Sequence, residues 1–138
     1  MLLSTLLRTR ASPILRMPVL RVVTNLGDVP ETLEAQLTKV VADIMKKPEE
    51  RFWCEVQTGA RISQGGTKDP CVFVSVKSIG AVGKDETPRL SQQITDYCHN
   101  ALSVAKDKIS VQYIDMDPNT FARGGTTIAE QLAQQSKQ

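Results

Sequence analysis

The sequence predicts an α+β (α/β) domain made of two consecutive β-α-β units, and three observations carry that prediction. Short runs rich in β-branched residues alternate with longer stretches whose apolar residues recur at helical spacing, in the order strand, helix, strand, twice over. Each half opens on a strand that begins with a proline, Pro18 in the first and Pro70 in the second. A glycine-rich link, 59–69 (GARISQGGTKD), joins the halves. At 138 residues the chain is long enough for one domain with one hydrophobic core.

The first unit starts with the strand 18–25 (PVLRVVTN), closed by Gly27 and Pro30. Over 31–46, Leu33, Leu37, Val40, Val41 and Ile44 form the stripe of an amphipathic helix. Pro48 ends it, because proline cannot continue a helix and disfavours helical geometry in the residue before it. Residues 52–58 (FWCEVQT) read as the second strand. In the second unit 70–77 (PCVFVSVK) is the strand, broken by Gly80 and Gly83. Thr87 with Pro88 predicts a helix start, a hydroxyl cap followed by proline at the first helical position. Leu90, Ile94, Tyr97, Cys98, Ala101 and Leu102 repeat the helical stripe, and 109–115 (ISVQYID) closes the unit.

Right-handed crossovers make the two strands of each unit parallel. The units together give a four-stranded mixed sheet with two helices on one face. The competing arrangement is an α+β sandwich with ferredoxin-like ordering; the proline at the head of each half favours the duplicated unit. Val22, Phe73, Val74, Val111 and Tyr113 are too apolar for both faces of the sheet to meet water. The chain has no third helix in this reading, so the cover is another copy of the same protein under closed rotational symmetry.

The ends stand apart from the domain, 17–128. Residues 1–16 (MLLSTLLRTRASPILR) hold three arginines and no acid, a composition that resembles a mitochondrial presequence. They also read as an upstream extension ahead of a start at Met17. The apolar run is short and precedes its charges, the wrong order for a secretory signal. Residues 129–138 (AEQLAQQSKQ) read as a polar, mobile tail.

Composition removes several functions. A net charge of +2 without a long basic run argues against nucleic acid or a membrane surface as partner. No stretch approaches the roughly 18 apolar residues of a membrane span. Cys54, Cys71 and Cys98 are odd in number and widely spaced, so they read as small buried apolar groups and not as a disulfide framework. His99 is the only histidine, and no His/Cys cluster has metal-ligand spacing. Gly65-Gly66 lacks the Lys-Ser/Thr of a phosphate loop.

Several stretches carry a family resemblance: Met17-Pro18 opening a strand, Lys47-Pro48 after the first helix, and Gly65-Gly66 followed by Asp69-Pro70-Cys71. Ser78-Ile79-Gly80 with Gly83, and Tyr113-Ile114-Asp115-Met116, complete the set. In order and spacing they resemble the macrophage migration inhibitory factor and D-dopachrome tautomerase family of the tautomerase superfamily. The resemblance implies a homotrimer whose sheets surround a central channel. It implies an isomerase that interconverts keto and enol forms of phenylpyruvate and dopachrome-type substrates, with no metal or organic cofactor. Some relatives are cytokine-like ligands that leave the cell without a signal peptide. The resemblance therefore also implies a cytoplasmic and secreted protein with a cell-surface receptor, acting through its trimer surface. A mitochondrial, inactive relative that retains residues 1–16 is the third reading.

In this family the base is the ring nitrogen of an amino-terminal proline, here Pro18. Within a chain that nitrogen is an amide without useful basicity; at a free terminus it is a secondary amine. A free α-amino group titrates near about 7.7–8.0. Apolar burial and a nearby cation both disfavour the protonated amine, and a base poised near neutrality suits proton abstraction beside a carbonyl. The resemblance implies that Lys47 is that cation and holds the substrate carboxylate or carbonyl oxygen. The competing reading of Lys47 is a solvated lysine that favours the helix macrodipole. The resemblance further implies that the Ile79 backbone amide contacts substrate and that Gln112 reaches it across the subunit interface. Arg51 is a secondary candidate for an anionic anchor. Ser110 stands where many relatives have a tyrosine and Gln112 where they have an asparagine, which widens the site; Phe121 partly refills it. Val74 takes the second position of a Cys-x-x-Cys that relatives carry from the position of Cys71, so no thiol-oxidoreductase chemistry is expected.

Overall fold

The computed structural model describes residues 17–136; residues 1–16, read above as a presequence or an extension, lie outside them. The first unit is β1 (Val19–Thr24), α1 (Leu33–Met45) and β2 (Trp53–Gln57). The second is β3 (Val72–Ser78), α2 (Thr87–Leu102) and β4 (Ile109–Asp115). The sheet runs β2-β1-β3-β4. β1 is parallel to β2 and β3 to β4, while β1 and β3 are antiparallel. The duplicated unit, the mixed sheet and the shared helical face are as the sequence predicts.

The period-two alternation of the strands assigns each face. Leu20 and Val22 on β1 and Val72, Val74 and Val76 on β3 are buried against Leu37 and Val41 of α1 and Leu90, Ile94 and Cys98 of α2. Each such side chain contributes about 1.5–3 kcal/mol by leaving water. Val111 and Tyr113 pack on this same core, so of the residues that argued for a second cover only Phe73 faces the other side. The open face owes its apolar character instead to Trp53, Phe73 and Ile114, all exposed, interspersed with the Arg21–Glu55 ion pair (3.2 Å).

Three expectations change. Pro70 is not the counterpart of Pro18. Val19 lies opposite Trp53 as Phe73 lies opposite Ser110, so the register matches Pro18 with Val72. Pro70 belongs to the link, which Asn25 holds by donating to the Asp69 carbonyl (2.9 Å) and accepting from the Cys71 N–H (3.0 Å). Thr87 makes no side-chain cap; α2 grows out of a turn in which the Glu86 and Thr87 N–H groups both bond the Gly83 carbonyl. The polar end is a helix, α3 (Ile128–Ser136), preceded by a small hairpin of β5 (Ala122–Arg123) and β6 (Thr126–Thr127). Its signal was short: Thr127 with Glu130 three residues on, each satisfying the other's backbone N–H.

Candidate active site

The topology brings the start of β1, the start of β2 and the ends of β3 and β4 to one edge of the sheet. Pro18 immediately precedes β1, is buried, and accepts the Trp53 N–H through its carbonyl at 3.0 Å. Ile79 immediately follows β3. Lys47 leads into the same edge through a short turn, Glu49–Arg51, that runs into β2.

Each residue is delivered by a specific local device. α1 ends at Met45, Lys46 turns left-handed (φ 55°), and the N–H groups of Lys46 and Lys47 both return to the Ala42 carbonyl. That turn swings Lys47 inward, where it is only 6% exposed. It is therefore not a solvated lysine at a helix end. At the other side, the Gly80 N–H donates to Asp115 Oδ1 (2.9 Å) and the Met116 N–H to the Ser78 carbonyl (2.9 Å). These two bonds fasten the Ile79-Gly80 turn to the end of β4. Gly80 (φ 78°) supplies the left-handed backbone the turn needs.

Met17 is 2% exposed and packs with Ile128 in a small apolar cluster that includes Ile79, Phe121 and Leu132. α3 thus closes the edge on which Pro18 and Ile79 lie. Beside it a cleft of about 220 Å³ is lined by Val19, Trp53, Cys54, Glu55 and Phe121. Gln112 is on the open face of β4, at the sheet edge opposite β2, so one chain does not bring it to Pro18. Arg51 is half-buried, and its Nε has no hydrogen-bond partner among the described residues. Trp53, Asp115 and Met17 escaped the sequence reading as site neighbours. For Trp53 the signal was present: a tryptophan at an outward position of an alternating strand.

Burial pushes the thiols of Cys54 and Cys98 up to about 11, so neither is a nucleophile near neutrality. The His99 ring nitrogen Nδ1 lies 2.7 Å from the Val104 carbonyl at the end of α2, a structural contact. Among the described residues no three His, Cys, Asp or Glu side chains come together as a metal site, and no helix is long and apolar enough to cross a membrane.

The duplicated β-α-β domain, with its four-stranded mixed sheet, is of the tautomerase-like fold class. The family model described as Macrophage migration inhibitory factor (MIF) matches residues 17–129, and the chain belongs to that family. MIF-like protein mif-2 of Caenorhabditis elegans is 42% identical over 116 residues, covering 83% of this chain and 97% of its own. D-dopachrome decarboxylase-B of Xenopus laevis is 30% identical over 115 residues, 81% of this chain and 98% of its own. Among solved structures, macrophage migration inhibitory factor from Oncomelania hupensis superposes with a TM-score of 0.76 at 26% identity, covering 79% of this chain and 95% of its own. The family gives the chain a function of general tautomerase and cytokine type.

Proposed function

We propose that this protein is a keto–enol tautomerase whose base is the Pro18 nitrogen in a form that begins at Pro18. The lone pair takes the proton from the carbon beside the substrate carbonyl. The C–H electrons become the C=C bond, and charge develops on the carbonyl oxygen until a proton reaches it. Lys47 and the Ile79 N–H stabilise that oxygen and hold the substrate carboxylate. Phenylpyruvate and dopachrome-type compounds are the substrate class, and the proton transfer calls for no metal or organic cofactor.

One observation supports this reading: Lys47, which could have been solvated, is only 6% exposed where the chain turns from α1 toward β2, whose first residue bonds the Pro18 carbonyl. The burial of Met17 adds a second condition. Its removal frees the amine and also vacates apolar space beside Ile79 and Phe121. The exposed Phe73 and Ile114 support a homotrimer that covers the open face. In a head-to-tail ring the β4 edge of one copy meets the β2 side of the next, which brings Gln112 of a neighbouring subunit toward Pro18. Pro18→Gly in the form that begins at residue 18 tests the base. Phenylpyruvate tautomerisation should fall by about 10²–10⁴-fold with the assembly intact; unchanged turnover would refute the assignment.

The same trimer surface could serve a receptor instead of a substrate. Receptor binding by protein with a blocked Pro18 separates the two roles. Amino-terminal sequencing of the natural protein decides between removal of 1–17 and a retained, organelle-directed segment.

A further inference from the structure

We propose that α3 is a lid over the sheet edge that holds Pro18 and that the Met17 side chain is its latch, so that loss of Met17 loosens the helix as well as freeing the amine. The lid has a purpose only under the tautomerase reading, on which it rests; the latch rests on packing. Most of α3 (Ile128–Ser136) lies past residue 129, where the family match ends, so the helix is an element beyond what that match describes.

The helix is built as one unit with the hairpin before it. The Ile128 N–H donates to the Phe121 carbonyl at 2.8 Å. The Gln131 side-chain amide donates to the carbonyls of Arg123 (3.3 Å) and Thr126 (3.2 Å). Thr127 and Glu130 bond each other across the helix start. All of these partners lie within 121–131, so the bonds hold the unit together without fixing it to the sheet. The turn Pro118–Thr120 links the unit to β4, and the chain is pinned just before that turn by the Met116 N–H on the Ser78 carbonyl (2.9 Å).

The seat of this unit is apolar: Phe121, Ile128 and Leu132 pack against Met17 and Ile79. Ile128 is 0% and Met17 2% exposed, whereas Ile79 is only partly buried. Apolar contact is non-directional and scales with the area removed from water. Met17 is the better buried of the two residues on which the unit sits, so its removal takes away much of the area that holds α3 down. Ile79 remains beneath the helix, and the unit loosens without losing its own hydrogen bonds.

The test compares backbone hydrogen exchange in two chains, one from Met17 to Gln138 and one from Pro18 to Gln138. The family matches relatives whose whole length corresponds to about this domain, so both are suitable test proteins. Amides of 128–136 should exchange about ten- to a hundredfold faster in the chain beginning at Pro18, with those of β1 to β4 unchanged. Ile128→Ala should reproduce most of that increase in the chain beginning at Met17 and add less in the other, because residues in contact do not act additively. Equal exchange of α3 in the two parent chains overturns the proposal. So does an Ile128→Ala effect of the same size in both. Deleting 128–138 from the chain beginning at Pro18 should leave phenylpyruvate kcat/KM unchanged; a loss of turnover with the sheet still protected would make α3 part of the site and not a lid. If α3 loosens as expected but no keto acid is tautomerised by any chain, the Pro18 chemistry is wrong and the latch stands.

Discussion

The two β-α-β units use one backbone plan, and the residues proposed for the chemistry differ between them. Each helix ends on a left-handed residue, Lys46 (φ 55°) in the first unit and Ser103 (φ 56°) in the second. In each, the next residue turns inward and is buried, and a three-residue 3-10 turn then leads into the closing strand. The inward residue is Lys47 in one unit and Val104 in the other. Val104 is what the plan asks for, an apolar side chain completing the core under the helix end. Lys47 departs from it at a cost in desolvation. The second unit thus acts as an internal control, because the backbone that buries Lys47 is equally served by valine. The first strands differ likewise: Pro18 holds the position that Val72 holds in the second unit.

Exchanging the two inward residues breaks this comparison most severely in one direction. Val104→Lys puts an ammonium where Val104 is 1% exposed within the apolar core, and should destabilise by about 3–5 kcal/mol in denaturant unfolding. Lys47→Val should leave the fold standing while lowering phenylpyruvate kcat/KM by about 10²–10³-fold. If both exchanges proved equally harmful to folding, Lys47 would be a structural residue.

The strand ends sharpen the comparison at smaller scale. Thr24 and Ser78 are matching buried hydroxyls that close β1 and β3. Thr24 donates to the Cys71 carbonyl (2.8 Å) and accepts from the Leu26 N–H (3.2 Å). Ser78 Oγ has no hydrogen-bond partner among the described residues. Thr24→Val should therefore cost about 1–3 kcal/mol, and Ser78→Ala should stay within about 0.5 kcal/mol of the parent in the same unfolding assay. The two thiols give the mildest effect. With folded values near 11 for Cys54 and Cys98, both stay protonated at neutral pH and should resist alkylation. As pH climbs above their unfolded values, near about 8.5, the unfolded chain loses protons first, so stability should decline until the folded thiols ionise too.

The duplication was legible because periodicity survives in both halves. The stripes Leu33–Ile44 and Leu90–Leu102 and the alternation in β1 and β3 each point to one buried face. Lys47, Ile79 and Pro18 were legible as motif residues through the family resemblance. What periodicity could not give was register. Pro18 and Pro70 look equivalent in sequence, but strand pairing shifts the match by two residues. The α3 helix was hidden by its polar composition, since its burial rests on few residues, chiefly Ile128 and Leu132. Asp115 was noticed only as part of a motif; its role as the acceptor that holds Gly80 depends on two strand ends meeting, which spacing along one strand does not reveal.

In the proposed mechanism Pro18 acts only as a free amine, and Met17 both blocks and fills the site. The most direct measurement is phenylpyruvate tautomerisation by two otherwise identical chains, one beginning at Pro18 and one beginning at Met17, each verified by intact mass. The chain beginning at Pro18 should turn over phenylpyruvate, and the other should be slower by at least about 10²-fold. Equal turnover by both chains would contradict this mechanism.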